Sequence, residues 1–216
     1  MVDAVLPVPT NGSEHMIYVF SGTKYAKIDF EKNKIIHGGG YRTTSWWTQI
    51  RDAGFRGVDA ITQVPNMSED FYVFWGVNSD SVASNMNKIP KSLASEWKPL
   101  VDAGFHTVGA ALTDPKGRHY IYFFLGTQIL QYDVAGNKVA WGPHPITEGW
   151  PALGKAGFDR VDTVFHRPGY KDRFYVVRGD HYIIMSWEGD GHAHQTKVSG
   201  PAVTIESQWK SLESSV

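Results

Sequence analysis

Four runs of apolar and aromatic residues divide the chain at regular intervals, and each run ends close to a glycine. The runs occupy residues 16–20, 71–75, 120–124 and 174–177, and the glycines that follow are Gly22, Gly76, Gly126 and Gly179. Aromatic and β-branched residues that stop at a glycine are typical of a strand followed by a turn. The pattern therefore predicts four similar strand-turn elements.

A short motif precedes each of these runs and shows that the chain is built from repeats. It reads Val-Asp-Ala-Val at 2–5, Val-Asp-Ala-Ile at 58–61, Val-Gly-Ala-Ala at 108–111 and Val-Asp-Thr-Val at 161–164. The spacing of 50 to 56 residues is close to that of propeller blades. We expect one domain over residues 1–216, with four blades over residues 2–57, 58–107, 108–160 and 161–216.

The rest of each unit follows a common order. Third strands are predicted over 24–30, 128–134 and 181–187, whereas the polar residues 79–85 of the second unit favour a short or frayed strand. A weak fourth strand is predicted around 34–36 or 138–139, and 37–40, His-Gly-Gly-Gly, is interpreted as a loop after it. One short helix then closes each unit, over 47–55, 97–105, 150–158 and 209–216. In the first three, Ala-Gly-Phe supplies the glycine that ends it.

These units predict an all-β fold, because one small sheet cannot bury both of its faces alone. Four sheets packed radially, as in a four-bladed β-propeller, solve that problem. The tryptophans that recur at the helix position are expected in the core: Trp47, Trp97, Trp150 and Trp209.

Two segments carry a resemblance to a known family. Residues 18–29 read Tyr-Val-Phe-Ser-Gly-Thr-Lys-Tyr-Ala-Lys-Ile-Asp, and Gly-Pro-His-Pro-Ile at 142–146 leads to Gly-Trp-Pro-Ala-Leu at 149–153. Both resemble the hemopexin-like repeat, which implies a four-bladed propeller with one short helix per blade over the whole chain. Because the chain has no cysteine, it is most similar to the stand-alone members from legume seeds, fungi and bacteria. Packing alone would then join the last blade to the first.

The resemblance also implies a central channel in which main-chain carbonyls can hold a hard cation such as calcium or sodium. The residues in the corresponding positions are Asp3, Asp59, Gly109 and Asp162. Small neighbours would keep the axis narrow: Ala4, Ala60, Ala110 and Thr163. Water alone in the channel is the alternative.

The resemblance implies a binding protein, since seed-type members are linked to haem or polyamine binding and some stand-alone propellers are lectins. His192 and His194 would face one side of a strand and could hold a metal or haem iron, although Gly-Asp-Gly at 189–191 favours a solvated loop. With one propeller, haem binding would need a homodimer or an end-on site. Tryptophans outside the repeat are candidate platforms for a sugar or planar ligand, with inter-blade packing as the alternative: Trp46, Trp75, Trp141 and Trp187.

Composition narrows the function classes. The chain has 21 Lys and Arg against 22 Asp and Glu, a net charge of -1. It therefore lacks the large positive electrostatic field that would attract nucleic acid. Without Gly-x-Ser-x-Gly, phosphate-loop or zinc-protease motifs, we expect no enzyme. No apolar stretch is long enough to span a membrane and no signal peptide is evident, which favours a cytoplasmic or non-classically stored or secreted protein. Haem or polyamine binding, carbohydrate binding and protein interaction remain as hypotheses.

Overall fold

A computed structural model of the chain describes residues 2–8, 15–67, 69–82, 91–170, 172–188 and 196–210. The strands form four separate antiparallel sheets, each built from consecutive segments of the chain. The predicted all-β architecture of four repeated sheets with short helices is confirmed.

The bounds of the elements show the repeat. The first sheet comprises β1 Ala4–Pro7, β2 Met16–Ser21, β3 Lys24–Asp29 and β4 Lys34–Arg42, followed by α1 Thr43–Trp46 and α2 Thr48–Asp52. The second comprises β5 Ala60–Gln63, β6 Phe71–Trp75, β7 Asn78–Val82 and β8 Lys91–Ser92, followed by α3 Leu93–Glu96 and α4 Lys98–Asp102.

The third and fourth units follow the same order. The third comprises β9 Ala110–Thr113, β10 Tyr120–Leu125, β11 Gln128–Asp133 and β12 Lys138–Pro145, followed by α5 Ile146–Gly149 and α6 Pro151–Lys155. The fourth comprises β13 Thr163–His166, β14 Arg173–Arg178, β15 His181–Trp187, β16 Thr196–Val198 and β17 Val203–Thr204, followed by α7 Ile205–Gln208.

The first strand of each sheet lies at its inner edge. These strands contact one another in a cycle, β1 with β5, β5 with β9, β9 with β13 and β13 with β1. The cycle places β1, β5, β9 and β13 around a common axis. The last sheet therefore contacts the first without a covalent link.

One strand prediction is confirmed and another differs from the structure. The polar third strand of the second sheet is short, as predicted: β7 has five residues, against six or seven in the other sheets, and pairs with β6 along its whole length. The fourth strands are longer than predicted, and the glycines of 37–40 lie inside β4 rather than in a loop after it. Register shifts between β3 and β4 accommodate three successive glycines with positive φ, because a bulge admits conformations that a regular strand excludes. Gly38 is required there, since a Cβ would lie 2.7 Å from the Tyr25 carbonyl oxygen.

In the first three units the predicted helix forms directly after the recurring tryptophan, and a second short helix that was not predicted precedes it. The two helices are separated at the recurring tryptophan, where Trp47, Trp97 and Trp150 leave helical geometry. Each of these tryptophans still donates its backbone N–H to the first residue of the preceding helix. The helices that follow the tryptophans end as predicted, before a glycine with positive φ at 54, 104 and 157, as helix C-termini commonly do. Most of the helix predicted over 209–216 lies outside the described residues.

The core consists of four apolar clusters, one between each pair of adjacent sheets. Each recurring tryptophan packs in one of them, as expected for residues that serve the repeat. The cluster between the last and first sheets joins Trp209 and Tyr175 to Ile17 and Val19. Of the helices that the structure describes, none has the length and apolar character needed to cross a membrane.

Candidate functional site

The aspartates of the repeated motif hold the turn between the second and third strands. The backbone N–H groups of Gly22, Gly76 and Gly179 donate to Oδ2 of Asp3, Asp59 and Asp162, at 2.5, 2.7 and 2.6 Å. The third unit has Gly109 in this position and lacks the carboxylate. These side chains therefore have a structural partner in three sheets.

Burial and a neighbouring charge act on one of these aspartates. Burial raises the pKa of Asp59, and the negative charge of Asp3 raises it further, while the hydrogen bond from Gly76 opposes both effects. The two carboxylates are thus close enough for their charges to interact. The starts of β1 and β5 bring negative charge together near the axis.

The predicted channel residues lie at the starts of the innermost strands. Ala4, Ala60, Ala110 and Thr163 are all buried, and the three alanines pack in clusters between the sheets. Within the described ranges, no group of three or more His, Asp or Glu side chains is placed to share a metal ion. A cation on the axis would therefore depend on main-chain carbonyls, and that site stays a prediction.

A cavity of 520 Å³ opens at the other end of the same four strands. All four innermost strands contribute to its wall, and the loops that follow three of them form its rim. Its apolar lining includes Leu6, Ile61, Leu112, Val164 and Phe165, and its polar lining includes Thr62, Gln63, Thr113 and His166. We call this space the axial cavity.

Three of the polar lining residues form a hydrogen-bonded chain across the second, third and fourth sheets. The Thr113 backbone N–H donates to Thr62 Oγ1 at 2.9 Å, and the two threonine hydroxyls are also 2.9 Å apart. The Thr113 hydroxyl donates to the Gln63 carbonyl, so the Thr62 hydroxyl must donate to Thr113. Both hydroxyl protons are therefore used inside the wall.

His166 continues this chain and leaves one acceptor. Its Nε2 lies 2.9 Å from the Thr113 carbonyl oxygen, and a carbonyl only accepts, so Nε2 carries the proton. Burial lowers the pKa of His166, which favours the neutral ring. In this neutral tautomer Nδ1 carries no proton. Among the described residues, none forms a hydrogen bond with it. His166 is thus a lining residue with an unused acceptor nitrogen.

The rim of the axial cavity carries an aromatic ring beside two cations. Tyr170 is 44% exposed and lines the cavity. The guanidinium carbons of Arg167 and Arg173 lie over its ring, 4.3 and 4.8 Å from the centroid. Asn66 and Met67 form the rim on the side of the second sheet.

The structure separates the four tryptophans that were candidate ligand platforms. Trp187 is 4% exposed and packs against Trp150 in the core between the third and fourth sheets, which is the inter-blade packing given as its alternative role, and a surface ligand does not reach it. Trp75 and Trp141 are half-buried. Trp46 is 56% exposed, with its ring centroid 4.2 Å from that of His37. His192 and His194 lie outside the described residues.

Sequence reasoning missed the axial cavity. The residues at its wall are the last residue of the repeated motif and the two that follow it, where the four units read Val-Leu-Pro, Ile-Thr-Gln, Ala-Leu-Thr and Val-Phe-His. The last position of these triplets is Pro, Gln, Thr or His, and does not repeat. That departure from the repeat, on strands that surround the axis, is the signal that would have identified the lining.

Comparisons with known proteins agree with this architecture. The Hemopexin family model matches residues 108–155, and no curated protein sequence matches the chain. The hemopexin fold protein CP4 from cow pea is 19% identical, with a TM-score of 0.81 over 98% of this chain and 96% of that one.

Two structures from Cicer arietinum, each 17% identical, are also similar. One is a plant albumin showing hemagglutination, with a TM-score of 0.83 over 99% of this chain and 97% of that one. The other is a plant lectin with two metal binding sites, with a TM-score of 0.77 over the same shares of the two chains. The resemblance predicted from residues 18–29 and 142–153 is confirmed, and the chain has the hemopexin fold.

Proposed function

We propose that this protein is a non-catalytic binding protein and that a small molecule occupies the axial cavity. The observation that carries the proposal is the 520 Å³ space bordered by all four innermost strands. Ligand pockets usually measure about 300 to 1,000 Å³ and combine apolar walls with a few placed polar groups. The axial cavity has both properties.

The wall supports binding because it is built before a ligand arrives. The hydrogen bonds among Thr62, Thr113 and His166 tie three sheets together at the cavity surface. A site that is already ordered loses less conformational entropy on binding. The apolar body of a ligand would contact Leu6, Ile61 and Leu112, and a donor group on it would meet His166 Nδ1.

Haem is the first ligand that the resemblance implies. The neutral imidazole of His166, with an unprotonated nitrogen, has the donor chemistry that haem iron takes from proteins. If bound, haem would supply the iron centre, and the chain would supply this imidazole and an apolar wall. His192 and His194 stay as alternative ligands proposed from the sequence.

A rim substitution tests occupancy of the axial cavity. Met67 and Val77 are both exposed apolar side chains, at 52% and 57%, but only Met67 lines the cavity. Isothermal titration with haemin and with 1-decanol should give saturable binding. Met67→Trp should change the affinity at least fivefold, and the matched control Val77→Trp should leave it within twofold. Absence of saturable binding, or equal effects of the two variants, would overturn the proposal.

A hard cation on the axis is the second part of the proposed function. The carbonyls of Asp3, Asp59, Gly109 and Asp162 would supply the oxygen ligands that calcium or sodium prefers. Three of these residues already use their carboxylates to hold a turn. A main-chain site is therefore compatible with glycine at 109, which keeps the carbonyl and loses only the side chain.

Carbohydrate binding at the first sheet is a second candidate function, favoured by one exposed aromatic cluster. Tyr41 is 62% exposed and Trp46 is 56% exposed, with His37 between them in ring contact with both. The Trp46 position is Glu96, Gly149 and Gln208 in the other units, so the repeat does not require this tryptophan. Sugars stack on exposed aromatic faces of this kind.

A glycan array separates this candidate from binding in the axial cavity. If the aromatic cluster binds carbohydrate, Trp46→Ala should abolish binding to whichever glycans the wild-type protein retains. Met67→Trp, at the rim of the axial cavity, should not affect it. If no glycan on the array binds the wild-type protein, or if binding persists in Trp46→Ala, the aromatic cluster is not a carbohydrate-binding site.

A further inference from the structure

We infer that the ligand of the axial cavity is an organic anion, an apolar body that carries a carboxylate or a similar acidic group. The inference rests on the proposed function, because it concerns the chemistry of the molecule that occupies that site. It is carried by two arginines that flank the rim residue Tyr170 and by the distribution of charge around them.

Arg167 and Arg173 are held together beside the cavity. Arg167 directly follows the lining residue His166, and its backbone N–H donates to the Arg173 carbonyl at 2.8 Å. Both guanidinium groups lie over the ring of Tyr170, which itself lines the cavity. One aromatic ring thus brings two positive charges to the mouth of an apolar space.

Neither arginine has an ion-pair partner among the residues that the structure describes. Asp172, the acidic residue nearest to them in the sequence, is exposed and forms no ion pair with any residue that the structure describes. Asp114 lines the cavity on the side of the third sheet, but its carboxylate is bound by Arg118 at 2.5 Å. The positive charge of Arg167 and Arg173 is therefore not neutralised within the rim.

The opposite side of the rim supplies no compensating charge either. Asn66 and Met67 are the residues that the loop of the second sheet contributes to the lining, and both are uncharged. Glu69 and Asp70 follow in the same loop and, like the two arginines, do not line the cavity themselves, but only the arginines lie over the ring of a lining residue. The electrostatic asymmetry of the mouth therefore favours a negative group on the side of Tyr170.

The position of both guanidinium groups over the Tyr170 ring suits anion recognition. A guanidinium group that contacts an aromatic ring through its face keeps the N–H groups at its edge available for an acceptor. Carboxylates and phosphates match the fork of donors at that edge. With the acidic group at Arg167 and Arg173, the apolar body would extend into the cavity toward Leu112 and Phe165.

The same positive charges disfavour binding of a polyamine, the second ligand that the resemblance implies. A polyamine is a polycation, and two unpaired arginines at the mouth would repel it. The one lining carboxylate, Asp114, already has a guanidinium partner. The residues of the axial cavity therefore do not fit a polyamine.

Three probes with the same ten-carbon chain and different head groups test the inference: decanoate, 1-decanol and decylamine. Isothermal titration at about pH 7.5 should rank decanoate tightest and decylamine weakest, with at least a tenfold difference between those two. The double variant Arg167→Gln/Arg173→Gln should weaken decanoate at least tenfold and leave 1-decanol within twofold. The control Arg51→Gln/Arg56→Gln, exposed arginines of the first unit, should change neither.

The outcomes separate the two proposals. Equal affinities for decanoate and 1-decanol, or a decanoate affinity that survives the double variant, would overturn the anion inference and leave cavity binding intact. Absence of binding by all three probes would overturn both. If the double variant failed to fold, as judged by its far-ultraviolet circular dichroism, the order of the three wild-type affinities would still decide.

Discussion

Asp59 Oδ2 accepts a hydrogen bond from the backbone N–H of Gly76, 2.7 Å away and 17 residues later in the chain. The bond ties the start of an innermost strand to the turn between the next two strands. The first and fourth units repeat it, and the third unit, with Gly109, does not. The aspartate of the motif is thus a turn support that a sheet can lose.

Removing the Asp59 carboxylate should cost stability. Asp59→Ala should lower the free energy of unfolding by about 0.5 to 1.5 kcal/mol, the usual net worth of one hydrogen bond. Asp59→Asn keeps an acceptor and should have little effect. Urea denaturation measures both, with Asp52→Ala, an exposed aspartate, as the control. Equal stability of the alanine variant and the wild-type protein would show that the turn does not depend on this bond.

The repeated motif explains how much of the fold could be predicted. The spacing of Val-Asp-Ala and of the aromatic runs placed four sheets along the chain, because every sheet must solve the same packing problem. The segment 37–40 was misinterpreted as a loop because the requirement for Gly38 depends on Tyr25 of the neighbouring strand. A local pattern contains no information about that close approach.

Trp209 joins the last sheet to the first, and its loss should destabilise the whole protein. Its ring stacks on Tyr182 at 4.2 Å and lies 5.1 Å from Phe30 of the first unit. Trp209→Ala should lower the free energy of unfolding by about 3 to 5 kcal/mol, as expected for a large buried aromatic side chain. The chain has no cysteine, so this contact is held by packing and by a hydrogen bond from Asn33 Nδ2 to the Gln208 carbonyl oxygen.

Denaturant unfolding followed by far- and near-ultraviolet circular dichroism checks the Trp209 prediction. Both signals of Trp209→Ala should give the same lowered denaturant midpoint. The control Trp46→Ala, at an exposed tryptophan, should unfold close to the midpoint of the wild-type protein. A transition that leaves the first sheet folded while the fourth unfolds would contradict it.

His166 should make stability fall at acidic pH. Burial lowers its pKa in the folded state, so below about pH 6.5, the usual histidine value, the unfolded chain binds the proton more readily. The contribution of His166 to the free energy of unfolding is therefore complete above that pH and decreases as the pH falls. His166→Gln should make the free energy of unfolding depend less on pH between about pH 6.5 and 5.

Thermal unfolding of His166→Gln across this pH range is the measurement. The same substitution at the exposed His144 serves as the control and should leave the pH dependence as it is in the wild-type protein. Parallel curves for wild-type protein and His166→Gln would contradict the role assigned to burial.

A cation on the axis should stabilise the folded ring. A ligand that binds only the folded state adds about 2.7 kcal/mol at a hundredfold excess over its Kd. Calcium added to chelator-treated protein should therefore raise the melting temperature, and Asp59→Asn should respond as the wild-type protein does, since it keeps the carbonyl. A melting temperature that calcium, sodium and chelator leave unchanged would contradict a cation site on the axis.

The candidate site was less predictable than the fold. Thr62, Thr113 and His166 become neighbours only when three sheets meet at the axis, more than fifty residues apart in the chain. Trp46 and Trp187 show the same limit, because both break the repeat, yet one is exposed and the other is buried. Departure from a repeat identifies positions free to acquire a function, and only packing shows which of them a ligand can reach.

Methyl NMR with decanoate tests the central claim, a small molecule in the axial cavity, most directly. Titration should shift the methyl signals of Leu6, Ile61, Leu112 and Val164, which line the cavity. Ile50 and Leu100 are buried in clusters of the same kind but do not line the cavity, so their methyl signals should stay in place. Shifts confined to other parts of the protein, or none at saturating decanoate, would contradict the claim.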